Sequence, residues 1–174
     1  GDVLVETEPF IQADTQVSAQ KAKEVAEQYI GKNLEDYNLI YRIEMDSQVV
    51  GGPSAGAAMT LATIAAATGR EVSEDAAITG TITESGRIGR VGEIPVKAYA
   101  AGEAGLNSFY VPKGQTTKVN YKPVVKQERR GFLVYQDVEY RRQEFNISSY
   151  TQENFQMRTS EVENIYKAAD RMLK

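Results

Sequence analysis

Residues 37–69 read YNLIYRIEMDSQVVGGPSAGAAMTLATIAAATG, and the fold class turns on this stretch. Its first part, Tyr37 to Met45, is rich in aromatic and β-branched residues and predicts a strand. Gly51, Gly52 and Pro53 then break the chain. Ala55 to Thr68 is mostly Ala and Thr and predicts a buried helix stopped by Gly69; it is too short to cross a bilayer, which takes about 20 residues. Strand, glycine-rich loop and helix in succession are a unit of mixed α/β architecture.

Working outward, Ala19, Ala22, Val25, Ala26, Tyr29 and Ile30 recur at helical spacing, which predicts an amphipathic helix over 18–30 capped by Gly31. Downstream, Ala77–Thr83 and Arg87–Val91 flank Glu84-Ser85-Gly86 and predict a β-hairpin. Pro95 suits the first turn of a helix that runs through Ala104 to Gly105, and Ser108–Val111 reads as a strand ended by Pro112. Beyond Gln115, Tyr121–Val125 and Phe132–Tyr140 read as strands and Asn146–Arg158 as a polar loop. Ser160–Leu173 reads as a closing helix with a Ser160–Glu163 capping box. The expected fold is therefore α/β (α+β): one domain over residues 1–174, with mixed sheets packed against helices.

The composition excludes much chemistry. The 174 residues include no Cys and no His, which removes a Cys nucleophile, a Ser-His-Asp triad and every His-based zinc site. The reading calls for no cofactor and no metal, and leaves hydrolysis to Ser, Thr, Lys, Tyr or carboxylates. A net charge of −4 gives no global positive field, so no nucleic-acid partner is expected.

Gly52-Pro53-Ser54-Ala55-Gly56 fits G-x-S-x-G, the pattern that exposes a serine at a turn into a helix. The usual partner of such a serine is His, and here there is none. Two readings stay open. Ser54 caps the helix, as Ser often does, or it is a nucleophile beside backbone N–H groups that can hold an oxyanion.

A base for that nucleophile is available in Lys97. On the helix from Pro95 it shares a face with Ala100, Ala101 and Ala104, where small residues should be buried. Burial disfavours the ammonium and frees a neutral amine to accept a proton. The other reading is a lysine that reaches solvent or pairs with a carboxylate such as Glu93.

Taken together, these segments resemble the proteolytic domain of the Lon-type (S16) serine peptidases. That family carries its nucleophile in G-P-S-A-G, matched by Gly52–Gly56, and its base in G-G-x-x-x-K-x-x-A-A-x-x-A-G, matched by Gly92, Lys97, Ala100, Ala101, Ala104 and Gly105. Between them a T-G-x-I segment is matched by Thr79, Gly80 and Ile82, and Pro112-Lys113 continues the match. The chain departs from the pattern in two places: Gly51-Gly52 replaces an acidic-Gly pair, and Glu93 replaces the second Gly before the lysine segment.

The resemblance covers residues 1–115 and leaves 116–174 as a divergent C-terminal part. It implies a serine endopeptidase with a Ser54–Lys97 dyad, Thr79 orienting the amine, and an oxyanion and substrate loop of Gly52, Pro53 and Ala55. No G-x-x-x-x-G-K-[ST] occurs in this chain, so the implied hydrolysis is ATP-independent here. Implied partners are unfolded or flexible polypeptides and further copies of the chain in a ring, typically a hexamer. Glu8–Met45 and the Gly-Gly-Pro-Ser segment look most like a stand-alone archaeal branch, which implies an extracytoplasmic protein with a membrane anchor outside this sequence; the alternative is cytoplasmic. Residues 113–142, with eight Lys and Arg against three Asp and Glu, support a different function, a non-catalytic Lon-like binding or assembly domain.

Overall fold

A computed structural model describes the backbone of residues 1–11, 13–50, 52–130 and 133–174. Strand β1 (Val3–Ile11), helix α1 (Ala13–Ile30) and strand β2 (Leu39–Val50) form a β-α-β unit with the strands parallel. Pairing runs from Val3↔Leu39 to Glu8↔Glu44 and resumes after a bulge at Phe10↔Val49. The helix begins five residues before the predicted 18–30 segment and ends, as expected, against Gly31 in a left-handed turn. Alternation along the strands turns Val3 inward with Ala19, Ala22 and Met59, and Tyr41 and Ile43 pack on that cluster.

A single 3-10 turn, Pro53–Ala55, leads into helix α2 (Gly56–Thr68). Its bulky residues Met59, Leu61 and Ile64 are buried, while Ala62, Ala66 and Ala67 form an exposed side. Its two fully buried threonines bond within the helix, Thr60 Oγ1 to Gly56 O and Thr63 Oγ1 to Met59 O, both at 2.8 Å. Thr63 Oγ1 has then used its only proton, so in its 2.5 Å contact Tyr41 is the donor, tying β2 to α2.

The expected Ala77–Thr83 strand is in fact two strands. Strand β3 (Ala76–Ile78) joins a parallel sheet of order β3-β6-β9 with β6 (Ser108–Pro112) and β9 (Arg158–Val162). Strand β4 (Thr81–Ile82) instead pairs antiparallel with β5 (Ile88–Gly89), and Gly86, at φ 73°, makes the predicted turn. Helix α3 (Ile94–Glu103) follows as expected. The two predicted C-terminal strands are longer than expected: β7 (Thr117–Arg130) and β8 (Leu133–Asn146) make one antiparallel ribbon.

Two expectations near the C-terminus are corrected. The supposed loop contains helix α4 (Ile147–Phe155), capped by Asn146 Oδ1 accepting from Ser149 N at 3.0 Å and anchored by buried Ile147 and Thr151. Ser160 does not cap a helix; it lies in β9, paired with Tyr110. The last helix, α5 (Ile165–Met172), is capped by Asn164, whose Oδ1 accepts from Lys167 N. The main core joins α1, α2, α5 and the β4–β5 hairpin through residues such as Val25, Leu61, Ile64, Ile82 and Ile165. A second core sits between α3, β6 and α4 around Ile94, Ala98, Phe109 and Ile147.

Candidate active site

The turn at Ser54 is shaped by what surrounds it. Gly52 has φ 93° and ψ 148°, a conformation essentially closed to residues with a Cβ. Its N–H donates to Asp14 Oδ1 at 3.2 Å, so the first turn of α1 tethers the loop before the serine. Gly56 is required by proximity: a Cβ there would stand 2.9 Å from the backbone N of Ile82. Both glycines of G-x-S-x-G thus have separate steric reasons.

The capping reading of Ser54 is not what the turn does. The caps are Gly52 for the 3-10 turn and Ala55 for α2, and neither helix start receives a side-chain capping bond. Among the described residues Ser54 Oγ has no hydrogen-bond partner, while the residue is half-buried. Its carbonyl, by contrast, is held firmly. Gly80 N–H donates to Ser54 O at 2.9 Å, and Gly80 O accepts from Ala57 N at 3.0 Å. The break between β3 and β4 is therefore the place where the chain leaves one sheet to clasp the Ser54 turn.

Thr79 sits in the same break and is 6% exposed. Its N–H donates to Tyr110 O at 3.0 Å, fixing it to β6. Its hydroxyl donates to Ser54 O at 3.4 Å and accepts from Lys97 Nζ, also at 3.4 Å. Both are long hydrogen bonds. Lys97 Nζ therefore reaches the neighbourhood of Ser54 through Thr79; it is not itself bonded to the Ser54 hydroxyl.

The surroundings of Lys97 differ from the sequence expectation in one respect. The buried face of α3 is Ile94, Ala98, Ala101 and Gly102, whereas Ala100 and Ala104 are exposed. Lys97 borders this face and is half-buried. Burial holds its amine below the ordinary lysine pKa, and the Glu93 carboxylate, one turn earlier, acts in the opposite direction. Glu93 itself is left-handed, φ 57° and ψ 32°, at the start of α3. A glycine would adopt that conformation without strain.

Sequence reasoning missed one residue here and the role of another. Asp14 gives no local sign of its role, since it bonds Gly52 from 38 positions away. Gly80 was visible only as part of a motif, and its double clasp on the Ser54 turn depends on tertiary contact. Among the described residues no group of three or more His, Cys, Asp or Glu is arranged to hold a metal ion.

A model of the C-terminal proteolytic domain of Lon protease (S16) matches residues 2–140. The chain belongs to this family. Its members are serine-type peptidases, and the match takes in the Ser54 turn, the Thr79–Gly80 break, Lys97 and most of the β7–β8 ribbon. Among individual relatives, a Lon protease of Finegoldia magna is 45% identical over 62 residues, covering 36% of this chain and 8% of the relative. A Lon protease of Mycolicibacterium smegmatis is 32% identical over 130 residues, covering 65% of this chain and 17% of the relative. Lon protease 1 of Bacillus subtilis is 33% identical over 100 residues, covering 58% and 13% respectively. The chain thus spans less than a fifth of the length of these relatives.

Proposed function

We propose that the chain is a serine endopeptidase that hydrolyses peptide bonds with Ser54 as nucleophile and Lys97 as general base. The observation that carries this reading is the unemployed Ser54 hydroxyl on a turn whose carbonyl is bound, through Thr79, into the same small network as a half-buried amine. A serine needed only for structure would use its hydroxyl as a cap.

In the proposed reaction neutral Lys97 moves from Thr79 to Ser54 and takes the hydroxyl proton as Oγ attacks the carbonyl carbon. The C–N bond then breaks, the ammonium returns the proton to the leaving amine, and an acyl-enzyme remains. Water, deprotonated by the same amine, releases the second product and restores Ser54. The N–H of Gly56 is used by Pro53 O and that of Ala57 by Gly80 O, so an oxyanion would draw on the N–H of Ser54 and compete with Gly52 O, the acceptor inside the 3-10 turn, for that of Ala55. The conformation of Gly52 and the ring of Pro53 set the direction of those two groups. Thr79 is a positioning residue for the amine.

Substrates in this reading are unfolded or flexible polypeptides. β2 runs directly into the Ser54 loop and, among the described residues, pairs with β1 on one edge only, which leaves an edge over 46–50 where an extended substrate can add as a strand. The active form is a ring of copies, in keeping with the family. The decisive experiment is cleavage of an unstructured polypeptide by the native chain and by Ser54→Ala and Lys97→Ala. Loss of cleavage in both variants is expected, and undiminished hydrolysis in either would remove the proposal.

A further inference from the structure

The parallel pairing of β6 with β9 sets Ser108 beside Arg158 and Tyr110 beside Ser160. Register partners share a face and successive residues alternate, so these four side chains stand on one side of the sheet and Glu161 on the other. The Glu161 carboxylate is held on that other side by the loop after β6, where Thr116 Oγ1 donates to Glu161 Oε1 at 2.7 Å. Toward the C-terminal ends of the strands, the face that carries Tyr110 packs into the main core with α5. Toward their N-terminal ends it is uncovered, with Arg158 exposed and Ser108 half-buried.

Arg171, in the last turn of α5, borders this uncovered part. Its Nη1 donates to Glu161 O at 3.1 Å, and its guanidinium carbon stands 5.9 Å from the centre of the Tyr110 ring. Both contacts bring the guanidinium to the face that carries Ser160. A cavity of about 470 Å³ results, lined by Ser108, Tyr110, Arg158, Ser160, Glu161 and Arg171.

With the Glu161 carboxylate turned away, the side chains that meet in this cavity are two permanently charged guanidinium groups and three hydroxyls, all able to donate. Among the described residues the hydroxyls of Ser108, Tyr110 and Ser160 and the guanidinium of Arg158 have no hydrogen-bond partner, and neither arginine pairs with a carboxylate. Two arginines that served only to brace the sheet would be expected to meet an acid.

We propose that this cavity is a binding site for a phosphate group, free or carried by a small phosphate monoester. Two guanidinium groups balance the charge of about −1.5 to −2 that such a group carries at neutral pH, and each can hold two of its oxygens. The hydroxyls supply donors to the remaining lone pairs. A peptide carboxylate fits less well: its neighbouring N–H groups need acceptors, and the carbonyl on the wall, Glu161 O, already serves Arg171. The cavity is larger than a bare phosphate, which leaves room for the group that an ester carries. None of the lining side chains belongs to the Ser54, Thr79 and Lys97 network, so the site stands whether or not the hydrolytic reading does.

The test is titration of the native chain with inorganic phosphate and with glycerol phosphate, read by phosphorus NMR line broadening and by calorimetry at constant ionic strength, with chloride as the control. Saturable one-site binding is expected for at least one of the two phosphates and for chloride none. The tighter of the two identifies the source, free phosphate or ester. Arg158→Gln changes an exposed side chain that bonds nothing else among the described residues, and it is expected to weaken binding about 10-fold or more. Ser160→Ala is expected to weaken it a few-fold, and both variants should keep the native circular dichroism. Failure of both phosphates to bind saturably would overturn the proposal, as would an equal response to chloride. Affinity undiminished in both variants would overturn it too, by placing the phosphate elsewhere on the chain.

Discussion

Lys97 Nζ donates to Thr79 Oγ1 across 3.4 Å, and the same hydroxyl donates to Ser54 O at the same distance. One side chain therefore links the amine to the turn that carries the serine. Removing the hydroxyl leaves the amine unanchored without altering the backbone bond from Thr79 N to Tyr110 O. Thr79→Val is expected to lower kcat about 10- to 100-fold, the range of one hydrogen bond to a charged or charge-developing group, with KM little changed. Thr79→Ser should restore most of the rate. A purely structural role would instead appear as a lower Tm in the Val variant with no rescue of kcat by Ser.

Glu93 allows charge and backbone strain to be separated. Its carboxylate raises the Lys97 pKa against the dominant lowering by burial, so Glu93→Gln should let the amine lose its proton at lower pH. Cleavage that rises with pH as Lys97 deprotonates should then begin its rise at lower pH. Glu93→Gly removes the same charge and also the left-handed strain at φ 57°, which costs about 1 kcal/mol in a residue with a Cβ. The entropy of a freer unfolded chain offsets part of that gain, so Glu93→Gly should be stabilised by a few tenths of a kcal/mol relative to Glu93→Gln. Matched pH–rate profiles and urea denaturation of the two variants test both halves.

The depressed Lys97 pKa also fixes a slope of stability against pH. The folded chain releases this proton at lower pH than the unfolded chain, whose lysine titrates near the ordinary 10.5. Between those two values the unfolded state holds more protons, so the contribution of Lys97 to stability rises with pH and is unfavourable below the window. Lys97→Met is expected to flatten the alkaline part of the stability curve relative to the native chain. Denaturation at a series of pH values from neutral to about 10 measures it.

Much of this arrangement was legible in sequence because it is local. Helical spacing showed α1, Pro95 and Gly105 bounded α3, and the punctuation Gly-Gly-Pro-Ser-Ala-Gly marked the turn at Ser54. What could not be read depends on partners distant in the chain. Nothing between Ala77 and Thr83 shows that Thr79–Gly80 leaves the sheet, because the cause is the bond from Gly80 to Ser54, 26 residues earlier. Helix α4 was hidden by a polar surface in which only Ile147 and Thr151 are buried. Ser160 and Glu163 had capping-box spacing, but parallel pairing of β9 with β6 overrides it and passes the cap to Asn164. The exposed Ala100 and Ala104 show that small residues mark a helix face less reliably than bulky ones do: the buried side of α3 is the one that carries Ile94.

The clearest separation of a folding defect from a chemical one comes from Ser54 and Gly56, two residues apart on the same turn. Because Ser54 Oγ bonds nothing among the described residues, Ser54→Ala should abolish cleavage while changing stability by less than about 0.5 kcal/mol. A capping serine would instead cost about 1 kcal/mol. Gly56→Ala places its methyl carbon 2.9 Å from the backbone N of Ile82, an atom held in the β4–β5 hairpin that cannot move aside as a side-chain tip would. The Ser54 turn must shift, at a cost of about 1–3 kcal/mol, and the serine moves with it. Gly56→Ala should therefore lose both stability and activity, whereas Ser54→Ala loses activity alone. Chemical denaturation paired with the cleavage assay tells the two apart, and a stability loss of 1 kcal/mol or more in Ser54→Ala would return that serine to a structural role.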